Sequence, residues 1–499
     1  MSSMFDEAEQ DPSLPNGEAA RLEEQLRIRL LNEQYRHLRL KDRSLLIVVA
    51  GIDGAGKGDT VNLLNEWMDP RHVRTIAFAA PTDEEKAYPW ARRFWLELPP
   101  KGSVGIMFGA GYMPLLQEIA KKKPNLDKLE TMISTVRKIE DTMVANGVQI
   151  IKLWFHMSRE AQRKRTEKLM ANPSTAWQVG STAWQVGKNY EKIFKYFDRV
   201  RNAGQRVIEA TDSSHAPWII IPSADDNMRT VRTAQAVLDA FTRRSIKVQP
   251  IHDPAARLKT KRPSHRLQEL DYEASITKET YEQELVSWQN RLAVAVRDKP
   301  FRKQSLVLVF EGQDAAGKGG AIRRVTHALD ARQYSTIPIA APRAFEMDRP
   351  YLWRFWRNVP RRGRITIFDR SWYGRVLVER VEGFARRQEW QRAFDEINDF
   401  EEQLTEHGAI ILKFWLAVTP EEQLKRFRER EHSVYKNFKI TPEDWRNRRK
   451  WPEYARAAEE MFARTDTPHA PWHVLSANDK RHARLEVIKR ITKAVEHAK

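Results

Sequence analysis

"VLVFEGQDAAGKGG" (307–320) runs from a β-branched and aromatic segment straight into a glycine-rich turn that closes on a lysine. Gly312, Gly317 and Lys318 fit the spacing G-x-x-x-x-G-K, and "GAIRRVTHAL" (320–329) then carries a helical period. A strand, a phosphate-cradling loop and a helix in that order predict an α/β unit on a parallel sheet. Glycines let successive backbone N–H groups curl around a phosphate, the helix N-terminus favours its charge, and the lysine reaches a neighbouring phosphoryl oxygen. Gly312, Ala315, Ala316, Gly317 and Gly319 are therefore the expected phosphate-binding backbone, with Lys318 in a catalytic position. The plainer reading is an ordinary glycine-rich strand-to-helix turn.

The same pattern occurs earlier in the chain. "LIVVAGIDGAGKGD" (46–59) precedes it by 261 positions, so that Lys57 answers Lys318. The same offset carries "TIAFAAP" (75–81) onto "TIPIAAP" (336–342) and "KLWF" (152–155) onto "KFWL" (413–416). Further on, "TDSSHAPW" (211–218) matches "TDTPHAPW" (465–472) at an offset of 254. The lost seven positions are the tandem copy of "STAWQVG" at 174–180 and 181–187, which lengthens a surface segment in its plainest reading.

This internal repeat predicts two similarly folded halves. The expected boundaries are a disordered tail at 1–19, a first domain at 20–247, a linker at 248–264 and a second domain at 265–499. The linker region replaces hydrophobic periodicity with Pro, His and basic residues. In the second half, 306–310, 335–341, 364–368, 409–417 and 472–475 read as strands, and 281–296 as a helix before the first of them. In the first half, 23–38 reads as the matching helix. Most of these strands are continuously apolar, which suits a parallel sheet covered on both faces.

Composition sets outer limits. A chain of 499 residues exceeds one ordinary core. No run of about 18 apolar residues is present, so no membrane span is expected. The polar, acidic start lacks the pattern of a secretory signal, and the absence of cysteine excludes disulfides and thiolate chemistry, so a cytoplasmic protein is expected. A formal charge of +18 points to a polyanionic partner, either nucleic acid or a phosphate-rich substrate.

The usual motif continues with a Ser or Thr that binds Mg²⁺, but Gly58 and Gly319 follow the two lysines. Another ligand set is needed. Asp314 lies inside the loop and Asp369 closes the strand of "IFDRSWYG" (367–374), so their carboxylates could converge on Mg²⁺ at the carboxyl edge of the sheet. Arg370 is suited to grip a phosphate with two parallel hydrogen bonds, and a salt bridge is its plainer role. Trp372 and Tyr373 read as packing residues. Arg375, Glu379 and Arg380 follow on a helix leaving the site or on a solvated face. "EEQLKRFREREHSVYKNFK" (421–439) reads as a basic lid closing over phosphates, or as solvated surface.

Taken together, "EGQDAAGKGG", "AAPRAFE", "FDRSWYGRVLVERVEG", "KFWLAVTPEEQLKRFRER" and "TDTPHAPWHVLSANDKRHAR" resemble the second family of polyphosphate kinases. The resemblance covers nearly all of 265–499 and, more weakly, 20–247. It implies an α/β protein of two fused phosphate-loop, thymidylate-kinase-like three-layer domains with mainly parallel sheets and helical lids. It further implies Mg²⁺-dependent phosphoryl transfer from inorganic polyphosphate to a nucleotide. A fused pair looks like the branch that uses nucleoside monophosphates, chiefly AMP to give ADP. By that resemblance Asp314, Lys318, Asp369 and Arg370 are the central catalytic positions, with Asp314 and Asp369 on the metal. Glu379 becomes a further acid near the metal, Arg375 a phosphate ligand, and Arg426 and Arg430 the lid arginines.

The first half keeps Gly51, Asp53, Gly56 and Lys57, yet Phe108 stands at the place of Asp369 and Gly109 at that of Arg370. Arg165 stands opposite Arg426, but Leu169 opposite Arg430. The second half is thus expected to carry the chemistry, and the rival view keeps the first loop as a regulatory nucleotide site. Two competing functions are an ATP-dependent nucleoside monophosphate kinase and a nucleic-acid-binding protein with an inert loop. The favoured reading has no nucleic-acid or membrane partner, and a monomer or homodimer of fused chains.

Overall fold

The computed structural model describes residues 3–171, 196–243, 264–433 and 440–498. The expected linker at 248–264, all but its last residue, and both copies of the seven-residue repeat lie outside them. Two compact units emerge: residues 1–82, 91–249 and 343–353 form one, and 83–90, 250–342 and 354–499 the other. The contiguous boundaries read from the repeat therefore miss two short segments.

In the first unit the strands are β1 (Ser44–Gly51), β2 (Val73–Ala77), β3 (Val104–Phe108), β4 (Val148–His156) and β5 (Trp218–Pro222), ordered β2-β3-β1-β4-β5. In the second they are β6 (Ser305–Gly312), β7 (Tyr334–Pro338), β8 (Ile365–Asp369), β9 (Ala409–Ala417) and β10 (Trp472–Ser476), ordered β7-β8-β6-β9-β10. All pairings in both sheets are parallel. The central strands β1 and β6 are flanked on both sides and buried along nearly their whole length, which is why they read as unbroken apolar runs. Leu306, Leu308 and Phe310 join Ile365, Ile367, Leu412 and Phe414 in the core that holds the β6 edge rigid. The expected strand at 335–341 is shorter, because Pro338 ends the β7 pairing.

Each unit buries a lysine–glutamate pair beside its sheet. Lys152 Nζ meets Glu140 Oε1 at 2.9 Å and the Thr211 carbonyl at 2.6 Å. Lys413 Nζ meets Glu401 Oε2 at 2.8 Å, the Thr465 carbonyl at 2.7 Å and the Tyr373 hydroxyl at 2.8 Å.

The N-terminal stretch is not a loose tail over its described residues. Phe5 is fully buried, stacking on His156 with ring centroids 4.1 Å apart. Glu9 pairs with Arg201 at 2.5 Å and Asp11 accepts from the Ser158 hydroxyl at 2.5 Å. Charge and polarity suggested disorder, but one aromatic anchor and two anchored acids suffice to order a short segment.

Candidate active site

The backbone builds the site first. Gly312 ends β6 with φ +133°, and a Cβ there would run into the Leu416 carbonyl on β9, so only glycine fits. Gly317, at φ +106°, caps the helix Lys318–His327 and turns its first N–H groups towards the loop. Lys318 Nζ meanwhile donates to the carbonyls of Gly312 at 2.8 Å and Gln313 at 3.1 Å. Burial pushes the lysine below its ordinary pKa, against the pull of Asp314. An ammonium so poorly hydrated gains most from an anion that replaces those carbonyls.

Asp314 is shared between two donors. Its Oδ1 accepts from Arg370 Nη2 at 2.9 Å and its Oδ2 from Asn447 Nδ2 at 2.8 Å. Gln423 Nε2 holds the Asp314 carbonyl at 3.0 Å. Asp369 is the last residue of β8, in register with Phe310 of β6. Arg370 then turns left-handed at φ +64°, its N–H donating to the Phe310 carbonyl at 3.0 Å. Asp369, Asp314 and Arg370 all lie within electrostatic reach of Lys318. Four residues singled out from the sequence thus meet at one edge of the sheet. Trp372 and Tyr373 are buried packing residues, both donating to Glu401 Oε1.

Other expected ligands sit differently. Arg375 pairs with Glu379 at 3.2 Å on their own turn. Arg426, expected as a lid arm, is buried at 2% exposure and holds the Ala315 carbonyl at 3.0 Å, the Ala477 carbonyl at 2.6 Å and Glu422 at 2.7 Å. It braces the loop from behind, because a buried guanidinium needs acceptors on every side. Arg430 is half-buried; burial lowers its pKa while Asp444 and Asp314 raise it, which places its charge near the Asp314 carboxylate. Lys436 and Lys439 of the expected lid fall outside the described residues.

Sequence reading missed a second group. Glu311, buried just before Gly312, accepts from the Ser371 hydroxyl at 2.8 Å, and burial pushes its carboxyl up. An acid inside an apolar strand was the available signal. Tyr454 donates to Glu382 at 3.3 Å and Asn447 at 3.2 Å, and Glu382 also receives Lys450 at 3.0 Å and Arg446 at 3.2 Å. This chain of contacts ties the helix Pro442–Arg449 to Asp314.

In the first unit Phe108 pairs with Val49, the position equivalent to Phe310, so Phe108 does occupy the register of Asp369. Gly109 repeats the turn of Arg370 at φ +72°, its N–H bonding the Val49 carbonyl at 2.9 Å. Lys57 Nζ again folds onto loop carbonyls, at 2.5 Å from Ile52 and 3.2 Å from Gly51. Here, however, the Arg229 guanidinium packs against Gly56, where the second unit has Ala483.

Residues 14–259 and 275–499 each match the family model of polyphosphate kinase 2. The chain belongs to the polyphosphate kinase 2 family. Within that family it is 44% identical over 99% of both chains to a polyphosphate:AMP phosphotransferase of Pseudomonas aeruginosa. It is 38% identical to one of Acinetobacter johnsonii, over 94% of this chain and 96% of that one. A crystal structure assigned to polyphosphate kinase 2 from Pseudomonas aeruginosa superposes with a TM-score of 0.86 at 43% identity, covering 99% of each chain. Both units are thus polyphosphate kinase 2 domains, and no helix among the described residues is long and apolar enough to cross a membrane.

Proposed function

We propose that this chain transfers the terminal phosphoryl group of inorganic polyphosphate to a nucleoside monophosphate, chiefly AMP, and that its second unit does the chemistry. The observation that carries this reading is the Asp314–Arg370 pair beside Lys318, where the first unit has Phe108 and Gly109 at the places of Asp369 and Arg370. The full-length resemblance to polyphosphate:AMP phosphotransferases supports both donor and acceptor.

The acceptor needs little activation. A nucleoside monophosphate is largely dianionic at neutral pH, so its oxygen can attack the terminal phosphorus without a general base. That attack forms one P–O bond while the bond to the penultimate phosphate breaks, and the shortened chain leaves with the electron pair. Lys318 and the amides of Ala316 to Gly319 bind the donor phosphates, and Arg370 aligns the transferred group by its paired N–H donors.

Among the described residues no cluster of three or more potential metal-ligating side chains exists. Two carboxylates at the loop nevertheless fit Mg²⁺, which keeps several waters and shares substrate phosphates. Asp314 and Asp369 would hold it, with Glu379 as a further acid nearby, and the ion would neutralise charge on the phosphates. Arg370 now sits on one oxygen of Asp314, as a cation would.

The deciding assay supplies AMP and polyphosphate with no ATP and resolves the nucleotides by chromatography. ADP should accumulate. Accumulation only when ATP replaces polyphosphate would overturn the reading in favour of an ATP-dependent kinase.

A further inference from the structure

Beside the phosphate loop stands a group of cations that the chemistry above leaves unused. Arg323 and Arg324 lie in the second half of the short helix Lys318–His327, and Lys480 and Arg484 on the first turns of the helix Lys480–His497. The Arg484 guanidinium faces Gly320: a Cβ on that glycine would lie 3.0 Å from its Nη2. Arg323 Nε reaches the Gly319 carbonyl at 3.3 Å and Arg324 Nη1 the Gly320 carbonyl at 3.4 Å, both long contacts. Among the described residues none of the four is in an ion pair. Like charges gathered without counter-ions raise the energy of the fold until an anion joins them.

The titration behaviour agrees. Burial first, then the charges of Arg324 and Arg323, press Arg484 below its ordinary value, with the Tyr281 hydroxyl opposing. Lys480 is likewise lowered by burial and by Arg426 and Arg484, with Glu429 and Glu422 opposing. Glu422 is already bound to Arg426.

The first unit shows the same place closed on itself. Asn62 and Leu63 replace Arg323 and Arg324, Asp226 and Thr230 replace Lys480 and Arg484, and Asp59 replaces Gly320. Asp59 accepts from Arg165 at 3.0 Å, while Asp226 accepts from Arg165 at 2.5 Å and Arg229 at 2.6 Å. Two arginines and two aspartates there pair with one another, where the second unit gathers cations alone.

We propose that Arg323, Arg324, Lys480 and Arg484 form a second anion subsite, contiguous with the loop, that holds phosphoryl units of the donor chain beyond the one transferred. This rests on the polyphosphate reading above and extends it. Guanidinium forks match the paired oxygens of a phosphoryl unit, and four gathered cations suit a run of negative charges. The subsite makes the donor's length matter: a chain of three phosphates fills the loop, whereas a long chain also covers the cations.

The test compares tripolyphosphate with a chain of several tens of phosphates as donor to the full-length enzyme, at saturating AMP. Arg484→Ala combined with Arg324→Ala should raise KM for the long donor about tenfold, while kcat/KM for tripolyphosphate changes within about twofold. Arg484→Lys should recover most of the loss. Lys480→Glu guards against a folding artefact, since an acid at a helix N-terminus favours the fold; it too should weaken only the long donor. Equal losses on both donors, no loss on either, or a rise confined to KM for AMP would each overturn the subsite. A wild-type enzyme that uses no polyphosphate of any length would instead sink the parent reading.

Discussion

The two units share a backbone and part company at one edge of the sheet. Strand order, the strained φ of Gly51 and Gly312, the lysine folded onto loop carbonyls and the glutamine clamp on the loop aspartate are the same in both. What differs is Phe108 for Asp369, Gly109 for Arg370, Ala110 for Ser371 and Ala50 for Glu311. Conformation tells the same story. The left-handed positions held by Gly54 and Gly109 in the first unit are held by Ala315 and Arg370 in the second, at φ +62° and +64°. A side chain in that region costs about 1–2 kcal/mol. The second unit tolerates at two places a strain that its twin relieves with glycine, while the first unit holds Ala110 left-handed at φ +33° where the second has an extended Ser371.

The harshest way to break this contrast is to remove each lysine in turn. Lys318→Ala should lower kcat by about a thousandfold or more, whereas Lys57→Ala should leave turnover within about threefold. Comparable losses would mean that both loops act. Asp369→Asn should resemble Lys318→Ala in steady-state assays.

A middle-sized effect concerns His473 on β10, where the first unit has Ile219. Burial and Arg490, against Asp466, press this imidazole down to about 4. A depressed folded-state value means stability that is present above the usual histidine range and lost as pH falls through it. The second unit should lose about 2 kcal/mol between pH 7 and 5 from this group alone. Denaturant midpoints at the two pH values measure it, and His473→Ile should flatten the difference.

The smallest effect is Ala315→Gly, which copies Gly54 into the second unit. It should stabilise that unit by about 1 kcal/mol in equilibrium unfolding. No gain would mean that Ala315 is not strained.

Much of the fold could be read because it was written twice: an offset of 261 aligns strands, loop and lysine, and β-register upholds it at Phe108 and Asp369. The meeting of Asp314, Lys318, Asp369 and Arg370 at one sheet edge was legible because a loop and a strand end are local features. Asn447, Tyr454 and Glu382 were not, since the Asn447–Asp314 contact joins residues 133 positions apart and neither neighbourhood carries a motif. Arg426 shows the converse failure. A basic run suggested a free arm, but the helix period turns Arg426 inward with Phe427 while Arg428 faces solvent. Phe5 was hidden by the acidic residues around it.

The buried Lys152–Glu140 and Lys413–Glu401 pairs impose a constraint on how such a molecule can change over generations. Losing either member alone strands a charge in the core at about 3–5 kcal/mol, so the route to an apolar replacement passes through a barely foldable intermediate. The edge of the sheet has no such toll. A copy released from the chemistry could therefore shed acids and arginines at that edge one at a time while the pair in its own interior stayed fixed.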